Sequence, residues 1–459
     1  MQQTQDQASR QECPEPSNGI RWFGVTTRIP LIHTRLRWGE FLQGNLVSAA
    51  TALALVPLLT GYFGLSFEEA VAMTFLHSTL LCVSWWVFGE PYAPGWITPA
   101  LPFVMTLVLA DPSQSPTERI QLMTALSLNF AFLLAVLGVT GLGARLVRII
   151  PDVLKGAVIL GAGLAAFIKV FDLSVEKNIF NSHPITASVA IGLSLLLAFS
   201  EPVQRLRLKY PLVARLAALG LLPGFVIGML AGGLTGELTF EIESGFYLLP
   251  FGDLFAKVSP FAIGWPSLEM FINGLPIALI AYLLFFGDLV TGDALLKDAA
   301  KEKTDDELNI NHSRTHLSMA IRNFLMGVIA PFFPTQGILW TGIHVVIVQR
   351  IREEKNKIRS LFDGISSYYL LGLPLIFCIT PVVTGIKPMM PVALVLTLAL
   401  TGFACTYVAL SKARTNTEFG AMLMGGVFLA LMEPWIGLLM AVVTVLLLVD
   451  LKARPAEET

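Results

Sequence analysis

The sequence predicts an all-α polytopic membrane protein of fourteen transmembrane segments, arranged as a 7+7 inverted repeat with short half-helices at segments 3 and 10. Three observations carry that expectation: a composition outside the soluble range, apolar runs that recur from end to end, and two Pro/Gly-interrupted stretches at matching places in the two halves. Of 459 residues, 54% are hydrophobic and 14% charged, with a mean hydropathy of +0.68; soluble domains carry about 25% charged residues.

A helix needs about 17–25 apolar residues to cross a bilayer. Such runs lie near 41–63, 68–88, 121–141, 149–171, 185–200, 212–233, 268–288, 316–333, 360–380, 388–410, 419–433 and 434–451. Two more, 95–110 and 337–349, are apolar but short, and follow the Pro/Gly-rich stretches PYAPGWITP and PFFPTQG. Residues 1–20 are polar, with no apolar stretch ahead of a small-residue cleavage site, so the first span is expected to act as the targeting signal. Cys82, Cys378 and Cys405 fall in apolar runs and Cys13 in the polar tail. That spacing offers neither a disulfide framework nor a CxxC metal pair.

Lys and Arg collect in loops retained in the cytoplasm. With fourteen spans, one side receives Arg21, Arg28, Arg35 and Arg37, then Arg145 and Arg148, Arg205 to Arg215, Lys297 to Arg314, Arg350 to Arg359, Lys412 and Arg414, and Lys452 and Arg454. The other side receives Arg119, Lys169, Lys177, Lys257 and Lys387. An error of one span would scramble this asymmetry, so it supports the count and places both termini in the cytoplasm of a multi-pass inner or plasma membrane protein. No basic face interleaved with aromatics suggests nucleic acid, and the runs at 297–306 and 350–359 read as solvated loops.

The two short segments stand third and tenth, each third within its own seven-span half. Seven is odd, so the second half enters the membrane from the opposite side, as in inverted-topology repeats. Non-helical backbone at membrane depth is tolerated only where protein or a wet cavity satisfies it. Proline lacks the donor that would go unpaired and suits the first turn of a helix. Pro94–Thr98 and Pro334–Gly337 are therefore expected to run extended to the bilayer midplane and approach each other there, each starting a half-helix whose free N–H groups favour an anion or an acceptor-rich solute. The alternative is a pair of ordinary proline kinks. The candidate binding residues are Trp96, Ile97, Thr98, Gly337, Ile338, Trp340 and Thr341.

The chain resembles the nucleobase/ascorbate permeases (xanthine and uracil permeases) and, more remotely, the sulfate permeases and bicarbonate transporters that share their fold. The resemblance rests on GEPYAPGWITPALPF at the third span, IPDVLKGAVILGAGL at the fifth, FFGDLVTGDALLKDA at the eighth and APFFPTQGILWTGIHVVIVQRI at the tenth, and covers residues 40 to 450 at the level of pattern. It implies a core domain of segments 1–4 and 8–11, a gate domain of segments 5–7 and 12–14, substrate between segments 3 and 10, elevator-like motion of core against gate, and a homodimer through the gate. The division that follows is 1–39 as cytoplasmic tail, 40–145 core, 146–235 gate, 236–267 an extracytoplasmic connection, 268–380 core, 381–451 gate and 452–459 as C-terminal tail; the cytoplasmic regulatory domain usual in sulfate permeases is not expected. The chain also departs from the pattern. Aligned on Gly287, Leu284 stands where nucleobase permeases carry a glutamate, and their second glutamate falls near Trp340 or Thr341.

Asp288 ends an apolar run, where a carboxylate is unfavourable unless paired or wet. It is the candidate coupling residue, with Thr291 one turn on. Gln43, Asn45 and His344 are supporting polar residues, each with an alternative reading as an interhelical hydrogen bonder; Asn129 and His77 read the same way. Trp96 and Trp340 either stack on a planar solute or anchor at the interface. Gly156, Gly161 and Gly163 signal close helix packing. The expected function is secondary active transport of a small polar or anionic solute, coupled to H+ or Na+. No cofactor and no metal site are expected, and the sequence shows no phosphate-binding loop and no enzyme-like His box. The alternative is a sulfate- or bicarbonate-type inorganic anion carrier; a passive channel or a membrane enzyme has less in its favour.

Overall fold

The computed structural model describes residues 19–450 except 144, 146–149, 175–177, 220, 301–307, 341–342, 345–346, 349–350, 352–357 and 370–375. It is mostly helical, and the described helices coincide with the apolar runs. Segment 1 is Trp38–Leu53 with Val56–Tyr62, segment 2 Phe67–Trp86, segment 3 the turn Thr98–Ala100 with Leu101–Val108, and segment 4 Pro116–Thr140. Segments 5, 6 and 7 are Asp152–Phe171, Pro184–Phe199 and Leu222–Thr235. Segments 8 and 9 are Leu268–Ala299 and His312–Ile329, segment 11 includes Ile358–Tyr369, and segments 12, 13 and 14 are Met390–Leu410, Asn416–Leu431 and Pro434–Leu448. Segment 10 begins at Trp340, whose carbonyl accepts from the amides of Ile343 and His344.

Among the described residues, four helices are long and apolar enough to cross a membrane, or up to six if each bent pair counts as one span. Others are shorter or interrupted. Segment 1 breaks before Val56, whose helix carries proline in its first turn, and segment 7 is preceded by an 84° bend after Pro211–Ala217. Local sequence explains the helix starts. Ser66 with Glu69 and Ser115 with Glu118 form reciprocal capping boxes at segments 2 and 4, each satisfying two amides that the first turn leaves unpaired. Gly141, at φ 67°, ends segment 4 in the left-handed region that glycine tolerates.

Packing falls into two sets. In one, segment 4 lies along 8 and 9, and segment 11 along 1 and 2. In the other, segment 5 lies along 12 and 13, segment 6 along 7 and 12, and segment 13 along 14. The sets meet where segment 8 touches 5 and 14, and segment 1 touches 12 and 7. Each of these pairs has a counterpart when every segment from 1 to 7 is raised by seven and every segment from 8 to 14 lowered by seven: 1 with 11 matches 8 with 4, 6 with 7 matches 13 with 14, and 8 with 5 matches 1 with 12. Small residues make the second set tight. A Cβ on Gly161 would lie 3.1 Å from the Gly426 carbonyl, and one on Gly163 2.9 Å from the Gly402 carbonyl.

Outside the segments, Ile20–Trp22 and Val25–Thr27 form a two-stranded hairpin at the end of segment 2, where the Arg28 amide donates to the Trp86 carbonyl. The following loop docks on segment 11 through Arg35 N to Asp363 at 2.7 Å and Thr34 to Ser366 at 2.7 Å. The connection after segment 7 is stitched to the chain entering segment 12 by Tyr247 N to Cys378 O and Thr380 N to Gly245 O. Its short helix Phe251–Val258 reaches segment 2 through Lys257 and Glu69, 2.8 Å apart.

Candidate functional site

Residues 93–97 and 334–340 are non-helical and pass one another in opposite directions, the second after a turn at 333–334. Ile97 N donates to Pro334 O at 3.0 Å, Gly337 N to Gly95 O at 2.7 Å and Trp340 N to Ala93 O at 2.8 Å. Two glycines permit this approach: a Cβ on Gly337 would lie 2.5 Å from Gly95 O, and one on Gly95 3.0 Å from Leu339 O.

Several other backbone groups in these stretches and in the chain leading into the second are met by side chains, as buried non-helical chain favours. His77 Nε2 donates to Ala330 O at 2.6 Å, Thr335 Oγ1 to Phe332 O at 2.8 Å and Asn323 Nδ2 to Gln336 O at 3.2 Å. Arg322 Nη2 donates to Gly337 O at 3.0 Å. On the opposing strand, the Ala93 amide donates to His344 Nδ1 at 3.2 Å, and the Tyr369 hydroxyl donates to Pro94 O. The crossing uses the amides of Ile97, Gly337 and Trp340, and Pro99 and Pro102 have none to offer. The amides of Thr98, Ile338 and Leu339 and the Thr98 hydroxyl have no hydrogen-bond partner among the described residues.

The turn Thr98–Ala100 packs against segment 8 of the first set and against segments 5 and 12 of the second, so segment 3 starts at the seam between the sets. Asp288 of segment 8 is partly buried on this seam, close enough to Cys405 of segment 12 to interact with it electrostatically. No described group forms a hydrogen bond or ion pair with its carboxylate. Beside it, a Cβ on Gly287 would meet nothing within 4 Å. Thr291 is exposed, its hydroxyl turned back to the Gly287 carbonyl at 2.8 Å.

Trp96 and Trp340 are partly buried, and Trp340 meets Tyr368 of segment 11 edge-on at 6.4 Å. Ile97 and Ile338 are buried in the apolar core at 0% and 3% exposure, with their backbones at the crossing. His344 is buried beneath Ala93, and Asn45 is buried in segment 1. Thr341 and the side chain of Gln43 lie outside the described residues. Leu284, at the position of the nucleobase-permease glutamate, is 5% exposed among apolar neighbours.

Two polar groups beside the crossing were not anticipated. Arg322, in the middle of the apolar run LSMAIRNFLMGVIA, is 1% exposed and reaches both Gly337 O and Gln336 Oε1. An ionisable residue inside an apolar run is itself the signal for it. The second group lies at the far end of segment 8, a helix of 32 residues and so about 48 Å long, against an apolar bilayer core of about 30 Å. There Asp293 accepts from Tyr92 at 2.5 Å and from His312 at 2.6 Å, while Glu90 holds Arg314 at 3.0 Å and Thr315 at 2.7 Å. These bonds tie the strand leading into segment 3 to segments 8 and 9. His312 lies outside the apolar run 316–333, and its bond to Asp293 raises its pKa above the ordinary 6.5.

No protein-family model matches the sequence, and no curated protein does. Among solved structures, the chain is similar to SLC26A9, with a TM-score of 0.56 and 13% identity over 89% of this chain and 64% of that one. It is similar to the murine Slc26a9 anion transporter in its inward-facing state, with a TM-score of 0.50 and 13% identity over 89% and 67%. The transmembrane domain of the cyanobacterial bicarbonate transporter BicA aligns over 89% and 99% at a TM-score of 0.48 and 13% identity. The chain thus spans 64% of the length of the SLC26A9 chain. At this identity the likeness is one of fold over the aligned part, that of a polytopic helical membrane protein.

Proposed function

We propose that the protein is a secondary active carrier of a small anion, of the sulfate or bicarbonate type, and not an enzyme. The observation that carries the reading is the antiparallel crossing of residues 93–97 with 334–340, which leaves the amides of Thr98, Ile338 and Leu339 uncommitted. Donors at helix starts favour negative oxygens. The fold shared with SLC26A9 supports this reading. A xanthine or uracil permease is less well supported, because a base edge needs acceptors as well as donors and Leu284 and Trp340 supply no carboxylate.

In this reading the segments form a 7+7 inverted repeat of fourteen spans, with both termini cytoplasmic. The packing pairs that match when the two halves are exchanged support the repeat, and the two packed sets correspond to core and gate. The core, segments 1–4 and 8–11, slides against the gate, carrying the anion held at Thr98 and Ile338. Asp288, on the seam and without a described partner, takes up H+ or Na+ and couples that motion to the gradient. Purified protein in liposomes tests this through the flux of labelled sulfate, bicarbonate and uracil, with and without imposed H+ and Na+ gradients. Gradient-driven accumulation of an anion is the expected result. Flux that only ever equilibrates would indicate a channel, and uptake of uracil alone would restore the permease reading.

A further inference from the structure

Arg322 lies ten residues into the segment 9 helix, about 15 Å along it, and its side chain is enclosed. Nη2 donates to Gly337 O at 3.0 Å, Nη1 reaches Gln336 Oε1 at 3.4 Å, and Nε has no partner. Among the described residues no carboxylate forms an ion pair with it. Glu90 acts on it only through space, since its two oxygens are taken by Arg314 and Thr315. Satisfying the Gly337 carbonyl needs no charge: the next residue, Asn323, holds the Gln336 carbonyl with a neutral amide at 3.2 Å. A cation buried at membrane depth is unfavourable until a negative group matches it, so its presence where a neutral donor would serve requires another reason.

We infer that Arg322 sets the charge selectivity of this carrier: its unmatched positive charge, held behind Gly337 at the head of segment 10, is neutralised by the transported anion. The inference rests on the carrier reading above. Arg322 acts through its field across the Gly337 peptide, while the amides of Thr98 and Ile338 make the contact. Because the guanidinium stays protonated across the physiological range, the preference for anions does not depend on pH.

Gln336→Glu tests this, since it builds the missing counter-ion 3.4 Å from Nη1; it also loses the bond from Gln336 Nε2 to the His77 carbonyl, so Gln336→Met, which loses the same bond without adding charge, is the control. The expected result is a rise of at least tenfold in the apparent KM for sulfate and bicarbonate in Gln336→Glu and a KM within about threefold of wild type in Gln336→Met, at similar melting temperatures of the two variants. Arg322→Lys should keep both KM values within about threefold, and Arg322→Gln should follow Gln336→Glu. A purely structural Arg322 would give the opposite pattern, with Arg322→Lys unfolding and Gln336→Glu transporting anions normally. Unchanged anion KM in Gln336→Glu, with wild-type uptake intact, would overturn the role of Arg322 alone. Wild-type protein that transports neither sulfate nor bicarbonate would overturn the carrier reading, and this inference with it.

Discussion

Adding a single methyl group at Gly337 should open the crossing. In Gly337→Ala the new Cβ would lie 2.5 Å from Gly95 O, 2.9 Å from the Trp96 carbonyl carbon and 3.0 Å from Ile97 N. All three are backbone atoms, so no side-chain rotation relieves the overlap. The strands must part by about 0.7 Å to restore a contact of about 3.2 Å, which stretches the 2.7 Å bond from Gly337 N to Gly95 O past the about 3.2 Å limit of a good N–H···O bond. One buried pair left unsatisfied costs about 1–3 kcal/mol and overpacking about 1–3 kcal/mol, so the variant should lose roughly 2–6 kcal/mol. The assay is thermal unfolding in detergent, with sulfate binding measured in parallel. Gly192→Ala serves as control, because a Cβ there meets nothing within 4 Å and alanine favours the helix by about 0.5–1 kcal/mol. Equal melting temperatures and equal sulfate binding for Gly337→Ala and wild type would refute the close crossing.

Asp288→Asn should remove gradient-driven accumulation while leaving expression and melting temperature unchanged, because no described group is bonded to its carboxylate; undiminished uphill uptake would take Asp288 out of the mechanism. His312 has a raised pKa because Asp293 holds its imidazolium, so its contribution to stability is full below about pH 6.5 and is lost as the pH rises through the folded-state value. The melting temperature of wild type should therefore fall towards that of His312→Gln as buffer pH is raised from about 6 to about 9, and parallel curves would contradict the link. Ser66→Ala breaks the capping box with Glu69 and should cost about 0.5–2 kcal/mol, read as a lower melting temperature with transport retained; an unchanged melting temperature would show that the cap contributes nothing.

The apolar runs were legible because hydrophobic length is a local property: each run from 41–63 to 434–451 has a described helix within it. The prolines and glycines at 91–102 and 331–337 were legible for the same reason, since what proline lacks and glycine allows belongs to the residue itself. Gly161 and Gly163 likewise meet backbone of segments 13 and 12. What the sequence hid is pairing. Nothing local shows that His77 serves Ala330, that Tyr369 serves Pro94 or that Asn323 serves Gln336, because each bond depends on where a distant segment comes to rest. The hairpin at 20–27 was hidden by its shortness, with strands of three residues, and Phe251–Val258 because its eight residues are too few for a span. Helix length misled in the other direction, for breaks near Val56 and after Ala218 leave the runs 41–63 and 212–233 in pieces.

The crossing also bears on how the chain is made. Segment 3 cannot satisfy its own backbone: Ala93 waits for His344, 251 residues later, and Pro94 for Tyr369, 275 residues later. At a synthesis rate of about 5–20 residues per second, that delay is about 13–55 s. Throughout it the ribosome has delivered a half-span whose carbonyls and amides face lipid, water or a helper protein. Such a segment has little reason to stay in the bilayer until its counterpart arrives. The protein is therefore expected to complete its membrane insertion late and in one cooperative step, and a nascent chain stalled before residue 334 should leave residues 89–108 open to protease or, with a cysteine introduced there, to water-soluble thiol reagents.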